Sequence, residues 1–295
     1  MKDAIFTGAG VAIVTPFNDD GINFSELGRM IEDQIAGGTD AIVIAGTTGE
    51  SATMTDEEHR AIIKFAVEQV RKRVPVVAGT GSNETGYAVE LTRYAEQVGA
   101  DAALLVTPYY NKCTQNGLIR HYTTIADQVK IPLILYAVPS RTGVTIKTST
   151  YAELAKHPRI AAVKEASGDL SAILRLRNAC GDALDLYSGN DDQIVPILSL
   201  GGKGVISVLS NVAPRQTHDI CQLYFEGKTE EAARLQIEYT DLIDALFCEV
   251  NPIPVKAAMR LMGYETGALR MPLTEPEPAH LEQIKAALKK HGLMK

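Results

Sequence analysis

The chain has 295 residues, of which 45% are hydrophobic and 22% charged, as in an ordinary globular protein with a large buried core. Its formal net charge of −7 is spread along the sequence without a long run of lysine or arginine, which argues against binding to nucleic acid. No apolar run approaches the roughly 18 residues that a membrane span requires, so we expect a cytoplasmic protein that does not enter a membrane.

The spacing of cysteine and histidine matches no common metal or disulfide pattern. The six histidines form no H-E-x-x-H or similar ligand motif, and the four cysteines lie far apart without a C-x-x-C pair. We therefore expect no metal, no cofactor and no disulfide framework. The cysteines that we predict to be reduced thiols are Cys113, Cys180, Cys221 and Cys248.

Eight short apolar runs recur before residue 210, and most of the intervals between them show a helical pattern. Nearly continuous apolar character is typical of parallel strands that are buried on both faces. An open doubly wound sheet would show a similar alternation, but no G-x-G-x-x-G motif follows the first run and eight regular units favour closure. We therefore predict a parallel (β/α)8 barrel, with strands at 10–15, 41–46, 75–79, 102–107, 132–138, 161–166, 185–188 and 204–209.

The interval after the second predicted strand contains a complete helix signal. Thr55 followed by Glu58 forms a capping box, and apolar residues at helical spacing come next. The predicted buried stripe consists of Ile62, Ile63, Ala66, Val67 and Val70.

The strand pattern stops after residue 209, and the stretches around 229–250, 254–262 and 277–291 all show helical patterns. No low-complexity tract or flexible linker separates this part, so we expect it to pack directly on the barrel. The sequence predicts a barrel domain at 1–225 and a C-terminal helical domain at 226–295.

Barrel enzymes place their reactive residues at the carboxyl ends of the strands, and several strand ends of this chain are unusually polar. A reactive side chain at one of these ends is therefore stronger evidence for an active site than the same residue elsewhere in the chain. These polar ends are 46–51, 107–111, 136–143, 164–167 and 188–190.

Lys164 is the most informative of these residues, because it lies inside an apolar run where lysine is rare. Strand alternation places it on the same face as Ala162 and Ala166, whose small side chains leave room for its stem. Burial favours a neutral amine, the nucleophile that forms a Schiff base with a carbonyl substrate. The ordinary alternative is a strand-end lysine that reaches solvent or pairs with a carboxylate.

Three hydroxyl side chains lie at or just after the carboxyl ends of different predicted strands and could together move a proton between substrate and water. They are Thr47, Tyr110 and Tyr136. Taken singly, each has an ordinary alternative, namely a helix cap, a surface tyrosine and a barrel-packing aromatic residue.

Two further features could recognise a carboxylate. Arg141, in a loop stiffened by Pro139, offers a bidentate cation, although a surface salt bridge would also explain it. The turn at Thr47, Thr48 and Gly49 offers backbone N–H and hydroxyl donors at the start of the next helix, or is a plain helix entry.

At these residues the chain resembles the dihydrodipicolinate synthase and N-acetylneuraminate lyase superfamily, and the resemblance extends from about residue 7 to residue 274. The resemblance is specific because several motifs occur together and in order. They are G-T-T-G-E-S at 46–51, T-P-Y-Y-N at 107–111, V-P-S-R-T-G at 138–143, K-E-A-S at 164–167 and N-P-I-P-V-K at 251–256.

The resemblance implies a lyase of diaminopimelate and lysine biosynthesis that condenses pyruvate with L-aspartate 4-semialdehyde. Lys164 would bind pyruvate as an imine, and Arg141 would engage the carboxylate of the aldehyde. A homotetramer built as a dimer of dimers is implied, in which Tyr110 reaches the neighbouring active site. The implied proton relay is Thr47, Tyr136 and Tyr110, and the implied pyruvate-binding residues are Thr48, Gly189 and Ile206.

Within the superfamily, the doubled threonine together with Arg141 favours the synthase branch over lyases that cleave sialic acid or other keto sugar acids. A sibling aldolase acting on a sugar acid stays open as an alternative, as does a pyruvate-binding sensor without turnover. Two residues depart from the family pattern, since Ala137 replaces a usual asparagine and Cys113 a usual proline. We expect Ala137 to change packing and leave catalysis intact.

The family also includes enzymes that L-lysine inhibits at a site next to the proton relay, and this chain matches that site only in part. Asp56 stands where the sensitive enzymes have histidine, and Tyr87 stands where they have glutamate. We therefore expect weak or absent inhibition by lysine. The residues that match the sensitive pattern are Ser51, Ala52, His59, Asn83 and Tyr109.

Overall fold

The computed structural model describes residues 4–294, so the outer limits of the two predicted domains, residues 1 and 295, lie outside the described part. The strands are β1 Gly8–Ala12, β2 Phe17–Asn18, β3 Gly21–Ile22, β4 Ala41–Ile44, β5 Val76–Gly79, β6 Ala102–Val106, β7 Leu133–Ala137, β8 Ile160–Glu165, β9 Asp185–Ser188 and β10 Gly204–Ser207. Eight of them are parallel and close into a barrel in the order β1-β10-β9-β8-β7-β6-β5-β4, and a short antiparallel hairpin, β2-β3, stands apart from it. The predicted (β/α)8 barrel is therefore confirmed.

Helices surround the barrel and continue beyond it at the C-terminus. The helices are α1 Phe24–Ala36, α2 Asp56–Val70, α3 Thr85–Val98, α4 Gln115–Ala126, α5 Pro139–Thr142, α6 Thr148–Leu154, α7 Leu170–Cys180, α8 Ile194–Ser199, α9 Pro214–Phe225, α10 Thr229–Glu238, α11 Thr240–Leu246, α12 Ile253–Leu261 and α13 Pro278–Lys290. Within residues 4–294, no helix is both long enough and apolar enough to cross a membrane.

The first strand begins earlier than the sequence predicts, at Gly8 and not at residue 10. Glycine weakens a strand signal in sequence, yet here the close approach of β1 and β10 requires it. Gly8 pairs with Gly204, and a Cβ atom on Gly204 would lie 1.8 Å from the carbonyl oxygen of Gly8. The barrel therefore closes between β1 and β10, where the two backbones are in contact.

Helix α2 confirms the capping box, since the Thr55 hydroxyl accepts from the Glu58 N–H and the Glu58 carboxylate accepts from the Thr55 N–H. Val67 is only partly buried, although it packs against the core. The residues of the predicted stripe that are fully buried are Ile62, Ile63, Ala66 and Val70.

The C-terminal part is helical as predicted, but the stretch predicted around 229–250 is divided into α10 and α11. The division falls at Tyr239, whose ring stacks on His291 with 4.3 Å between ring centres. Apolar side chains of α11, α12 and α13 belong to the same buried cluster as Leu27 of α1 and Ile62 of α2. These helices thus pack directly on the barrel, while a separate domain at 226–295 stays a prediction.

Candidate active site

Lys164 lies inside the barrel, on the same face of its strand as Ala162, as strand alternation predicts. Its side chain is only 6% exposed, and its Nζ atom lies 4.2 Å from the ring centre of Tyr136 on the neighbouring strand. Ala162 and Tyr136 belong to the interior cluster, whereas Val163 packs in the layer between the strands and the outer helices. The structure therefore brings together a buried amine and a phenol.

Gly189, directly after β9, leaves the space that the lysine stem occupies. A Cβ atom at this position would lie 3.1 Å from Cε of Lys164 and 2.7 Å from Cβ of Ala166. Ile206 of β10 is buried in the same interior cluster as Tyr136. Two of the predicted pyruvate-binding residues are thus placed beside the interior of the barrel that holds Lys164.

Thr47 and Tyr136 line one small cavity of about 50 Å³ at the end of the barrel. Thr47 also lines a larger neighbouring cavity of about 500 Å³, which Arg141 and Asn251 border as well. Thr47 therefore borders both the cavity that Tyr136 lines and the cavity that Arg141 lines.

Asn251 connects Thr48 with Arg141, a role that sequence reasoning missed. Its Nδ2 donates to the Thr48 hydroxyl at 3.0 Å, and its carbonyl oxygen accepts from Nη2 of Arg141 at 2.9 Å. Its Oδ1 is buried and has no hydrogen-bond partner among the described residues. The only sequence signal was its place at the head of the N-P-I-P-V-K motif.

The prediction that the threonine turn stands at the start of the next helix is wrong. The turn closes on itself, since Gly49 N–H donates to the Gly46 carbonyl and Glu50 N–H to the Thr47 carbonyl, each at 3.1 Å. A short 3-10 helix, Ser51–Thr53, follows, and α2 starts only at Asp56. Any donors that the turn offers are therefore its own groups and not those of the α2 terminus.

Tyr110 is separated from the rest of the predicted relay within one chain. It is 93% exposed, has a left-handed backbone with φ of 67°, and lines neither of the two cavities among the described residues. The backbone around it is tied down, because Asn83 donates to the Tyr109 carbonyl at 3.2 Å and Asn111 donates to the Asn83 carbonyl at 2.9 Å. The loop thus presents the phenol outward.

Five of the seven residues of the possible lysine site line the larger cavity, whereas Asp56 and Asn83 are not among its lining residues. The five are Ser51, Ala52, His59, Tyr87 and Tyr109. Burial lowers the pKa of His59, whose Nε2 lies 2.8 Å from the Gly79 carbonyl oxygen.

The two residues that depart from the lysine-sensitive pattern are neighbours in space. Arg60 donates to Asp56 at 2.7 Å, and this contact lowers the pKa of the Asp56 carboxyl group. Burial, together with the nearby Asp56 carboxylate, raises the pKa of Tyr87 to about 12.

Asp191 is a second residue whose importance the sequence did not reveal. It follows β9, is almost completely buried, and accepts from the N–H groups of Val208 and Leu209 at 3.0 and 2.9 Å. Burial raises the pKa of this carboxyl group, and Lys164 is close enough to act against that shift. Asp191 therefore joins the segments that follow β9 and β10.

Ala137 faces away from Tyr136, and its small side chain borders a cavity of about 260 Å³ on the outer side of the strands. Glu165 lines the same cavity, and burial raises the pKa of this carboxyl group. Its Oε2 accepts from the Tyr151 hydroxyl at 3.1 Å and its Oε1 from the Ser167 N–H at 2.8 Å. The departure at residue 137 thus lies in the outer layer of the barrel.

The four cysteines are free thiols. Among the residues that the structure describes, no group of three histidine, cysteine, aspartate or glutamate side chains is placed to hold a metal ion.

Comparison with known proteins identifies the family. The model of the dihydrodipicolinate synthetase family matches residues 5–291. A curated relative from Acetivibrio thermocellus, named 4-hydroxy-tetrahydrodipicolinate synthase, is 53% identical over 294 residues, which cover 100% of both chains.

Solved structures give the same result. The dihydrodipicolinate synthase of Aquifex aeolicus superimposes with a TM-score of 0.96 at 43% identity, covering 98% of this chain and 99% of that one. The enzyme of Cyanidioschyzon merolae, solved with lysine bound, gives a TM-score of 0.96 at 38% identity over 99% of this chain and 100% of that one. The chain therefore belongs to the dihydrodipicolinate synthetase family.

Proposed function

We propose that the chain condenses pyruvate with L-aspartate 4-semialdehyde to give 4-hydroxy-tetrahydrodipicolinate, in diaminopimelate and lysine biosynthesis. The observation that carries the proposal is Lys164, a buried lysine inside the barrel beside Tyr136. A relative that shares 53% of its residues over the whole chain is named for the same activity. We place the enzyme in the cytoplasm.

The proposed chemistry begins at the Nζ atom of Lys164. The amine adds to the carbonyl carbon of pyruvate, and loss of water gives an imine whose protonated form withdraws electrons from the adjacent methyl group. Loss of a methyl proton gives an enamine, which forms the new carbon–carbon bond by attacking the aldehyde. The amino group of the second substrate then displaces Lys164 and closes the ring, which returns the free lysine.

Thr47, Tyr136 and Tyr110 carry the protons in this proposal. Thr47 and Tyr136 share a cavity, and hydroxyl groups can pass a proton between substrate and water. Tyr110 points into solvent from an anchored loop, so its hydroxyl completes the relay of a neighbouring copy. The proposal therefore requires a homo-oligomer, which we infer to be a tetramer built as a dimer of dimers.

Substrate recognition is divided between two groups of residues. Thr48, Gly189 and Ile206 hold pyruvate, because Thr48 offers a hydroxyl and the other two lie beside the interior that holds Lys164. Arg141 binds the carboxylate of the aldehyde, since its guanidinium is fixed on one side by the Asn251 carbonyl and borders the larger cavity.

An assay of initial rates with pyruvate and L-aspartate 4-semialdehyde tests the proposal. We expect saturable product formation that requires both substrates. The same protein should then be assayed with N-acetylneuraminate and with keto-deoxy sugar acids. Faster cleavage of a sugar acid would identify a sibling lyase, and pyruvate binding without any turnover would identify a sensor.

A further inference from the structure

We propose that Glu50 and Lys256 are a positioning pair, through which the C-terminal helices hold the loop at 46–51 in its reactive shape. We call 46–51 the threonine loop, because it carries Thr47 and Thr48. The inference depends on the proposed function, which assigns the proton relay to Thr47. Neither residue of the pair touches substrate in this proposal.

The ion pair between Glu50 and Lys256 is short and shielded from solvent. Nζ of Lys256 lies 2.8 Å from Oε1 of Glu50, and both side chains have no exposed surface. The second oxygen of Glu50 accepts from the Arg270 N–H at 3.0 Å, and Lys256 also donates to the Ala268 carbonyl at 3.2 Å. Both carboxylate oxygens of Glu50 are therefore held by the C-terminal part of the chain.

Glu50 is also coupled to the catalytic threonine through the backbone. Its N–H donates to the Thr47 carbonyl, and its own φ of 56° lies in the left-handed region that residues with a side chain rarely adopt. Such a conformation persists only where the surrounding contacts determine it. The ion pair with Lys256, together with the Arg270 N–H, holds the Glu50 side chain in place. Glu50 in turn holds the position of Thr47.

A second contact supports the same assignment. Asn251, in the segment just before α12, donates to the Thr48 hydroxyl, so the C-terminal part reaches the threonine loop at two points. A buried ion pair adds little net stability, since an apolar pair of similar shape is often at least as stable. Burial also lowers the pKa of Lys256, so desolvation of this amine opposes its charge. We therefore infer that the pair serves to position the threonine loop and not to stabilise the fold.

The test uses the double variant Glu50→Gln with Lys256→Met in the full-length protein. It removes both charges together and so avoids a single unpaired buried charge, while the introduced amide keeps an acceptor for the Arg270 N–H. We expect a folded protein whose kcat falls about tenfold to a hundredfold, because a displacement of about 1 Å can cost that much rate. Wild-type kcat in the folded double variant would overturn the proposal.

Glu26→Gln provides the matched control. Glu26 is also buried, pairs with Arg29 and accepts from the Glu265 N–H at 2.8 Å, so it joins the barrel to the same C-terminal part away from the threonine loop. We expect this control to keep wild-type kcat. An equal loss of kcat in the control and in the double variant would show general loosening and would also overturn the assignment.

Amide hydrogen exchange provides a readout besides activity. In the wild type, the amides of Gly49 and Glu50 should be protected, and in the double variant their exchange should rise while that of β7 and β8 stays the same. Unprotected wild-type amides would contradict the proposal even if the double variant fails to fold. Trapping of pyruvate on wild-type Lys164 is measured separately, so a failure of the proposed function is distinguished from a failure of the positioning pair.

Discussion

The Nζ atom of Lys164 lies 4.2 Å from the ring centre of Tyr136, and the two residues pair across β7 and β8. The face of an aromatic ring attracts a cation. The protonated imine that Lys164 would form with pyruvate is such a cation, so the same ring is placed to stabilise it. One tyrosine can thus serve both the charge of the intermediate and, through its hydroxyl, the proton relay.

Borohydride added with pyruvate should label Lys164 covalently, because reduction traps the imine. Peptide mass spectrometry locates the adduct. Lys164→Ala should lose the label and lower kcat on the order of a thousandfold or more, as removal of a covalent nucleophile does. Lys256 is the internal control, since it is also buried but held by Glu50, and an adduct there would contradict the mechanism.

Tyr110→Phe should slow turnover about 100-fold while pyruvate imine formation on Lys164 persists, since the hydroxyl serves the relay and not the nucleophile. Steady-state kinetics and borohydride trapping measure the two properties separately. A parallel loss of imine formation would assign Tyr110 to a structural role.

Mixing Tyr110→Phe with Lys164→Ala should restore part of the activity if Tyr110 acts across an interface. A hybrid dimer then contains one site with both native residues. Native mass spectrometry confirms that hybrids form. Hybrids without any gain in activity would show that both residues act within one chain.

Strand alternation was enough to predict that Lys164 lies on the same face of its strand as Ala162, because side chains of successive strand residues point to opposite faces. The helix signal at Thr55 likewise depends only on residues that are close together in the sequence. Predictions of this kind succeed since they depend on residues within one element, and the capping box is an example.

The roles of Asn251 and Lys256 could not be predicted in this way. Asn251 binds Thr48 across 203 residues of sequence, and Lys256 binds Glu50 across 206. Such contacts depend on how the C-terminal helices dock, which no local pattern encodes.

Chelators should leave activity intact, because an imine supplies the electron sink that a metal aldolase obtains from a Lewis acid. Rates are measured after incubation with EDTA and after removal of the chelator by gel filtration. Loss of activity on chelation, followed by recovery with zinc, would indicate a metal-dependent enzyme.

His121 should make the folded protein sensitive to mild acid. Burial lowers its pKa to about 4, while an unfolded histidine titrates near 6.5. Between these values the unfolded state binds more protons, so the stabilisation is complete above about pH 6.5 and is lost as the pH falls toward 4. The loss should reach about 2 kcal/mol by pH 5.

The variant His121→Asn tests this dependence, since it removes the titrating ring and keeps a polar atom near the Thr85 hydroxyl that Nδ1 contacts at 2.9 Å. Urea unfolding at fixed protein concentration, from pH 7 to pH 5, gives the free energy of unfolding. The variant should be less stable at pH 7 but lose less on acidification. Parallel curves for the two proteins would assign the acid sensitivity to other groups.

Inhibition by L-lysine depends on whether the larger cavity still offers a carboxylate to a bound ammonium group. The cavity keeps Ser51, His59 and Tyr109 of the lysine-sensitive pattern, but Tyr87 takes the place of the glutamate. Removing one partner of a buried charge pair typically costs about 2 to 5 kcal/mol, or roughly 30-fold to several thousand-fold in affinity.

Asp56 does not replace the missing carboxylate, because Arg60 already binds it at 2.7 Å and lowers its pKa. We therefore expect weak or no inhibition when initial rates are measured against L-lysine at saturating pyruvate. The variant Tyr87→Glu returns the carboxylate to the cavity and should lower the half-inhibiting concentration at least about tenfold, which corresponds to about 1.4 kcal/mol of affinity. Half-inhibition of the wild type below about 1 mM, equivalent to an affinity of about 4 kcal/mol, would show that Asp56 or Tyr87 already serves the bound amine.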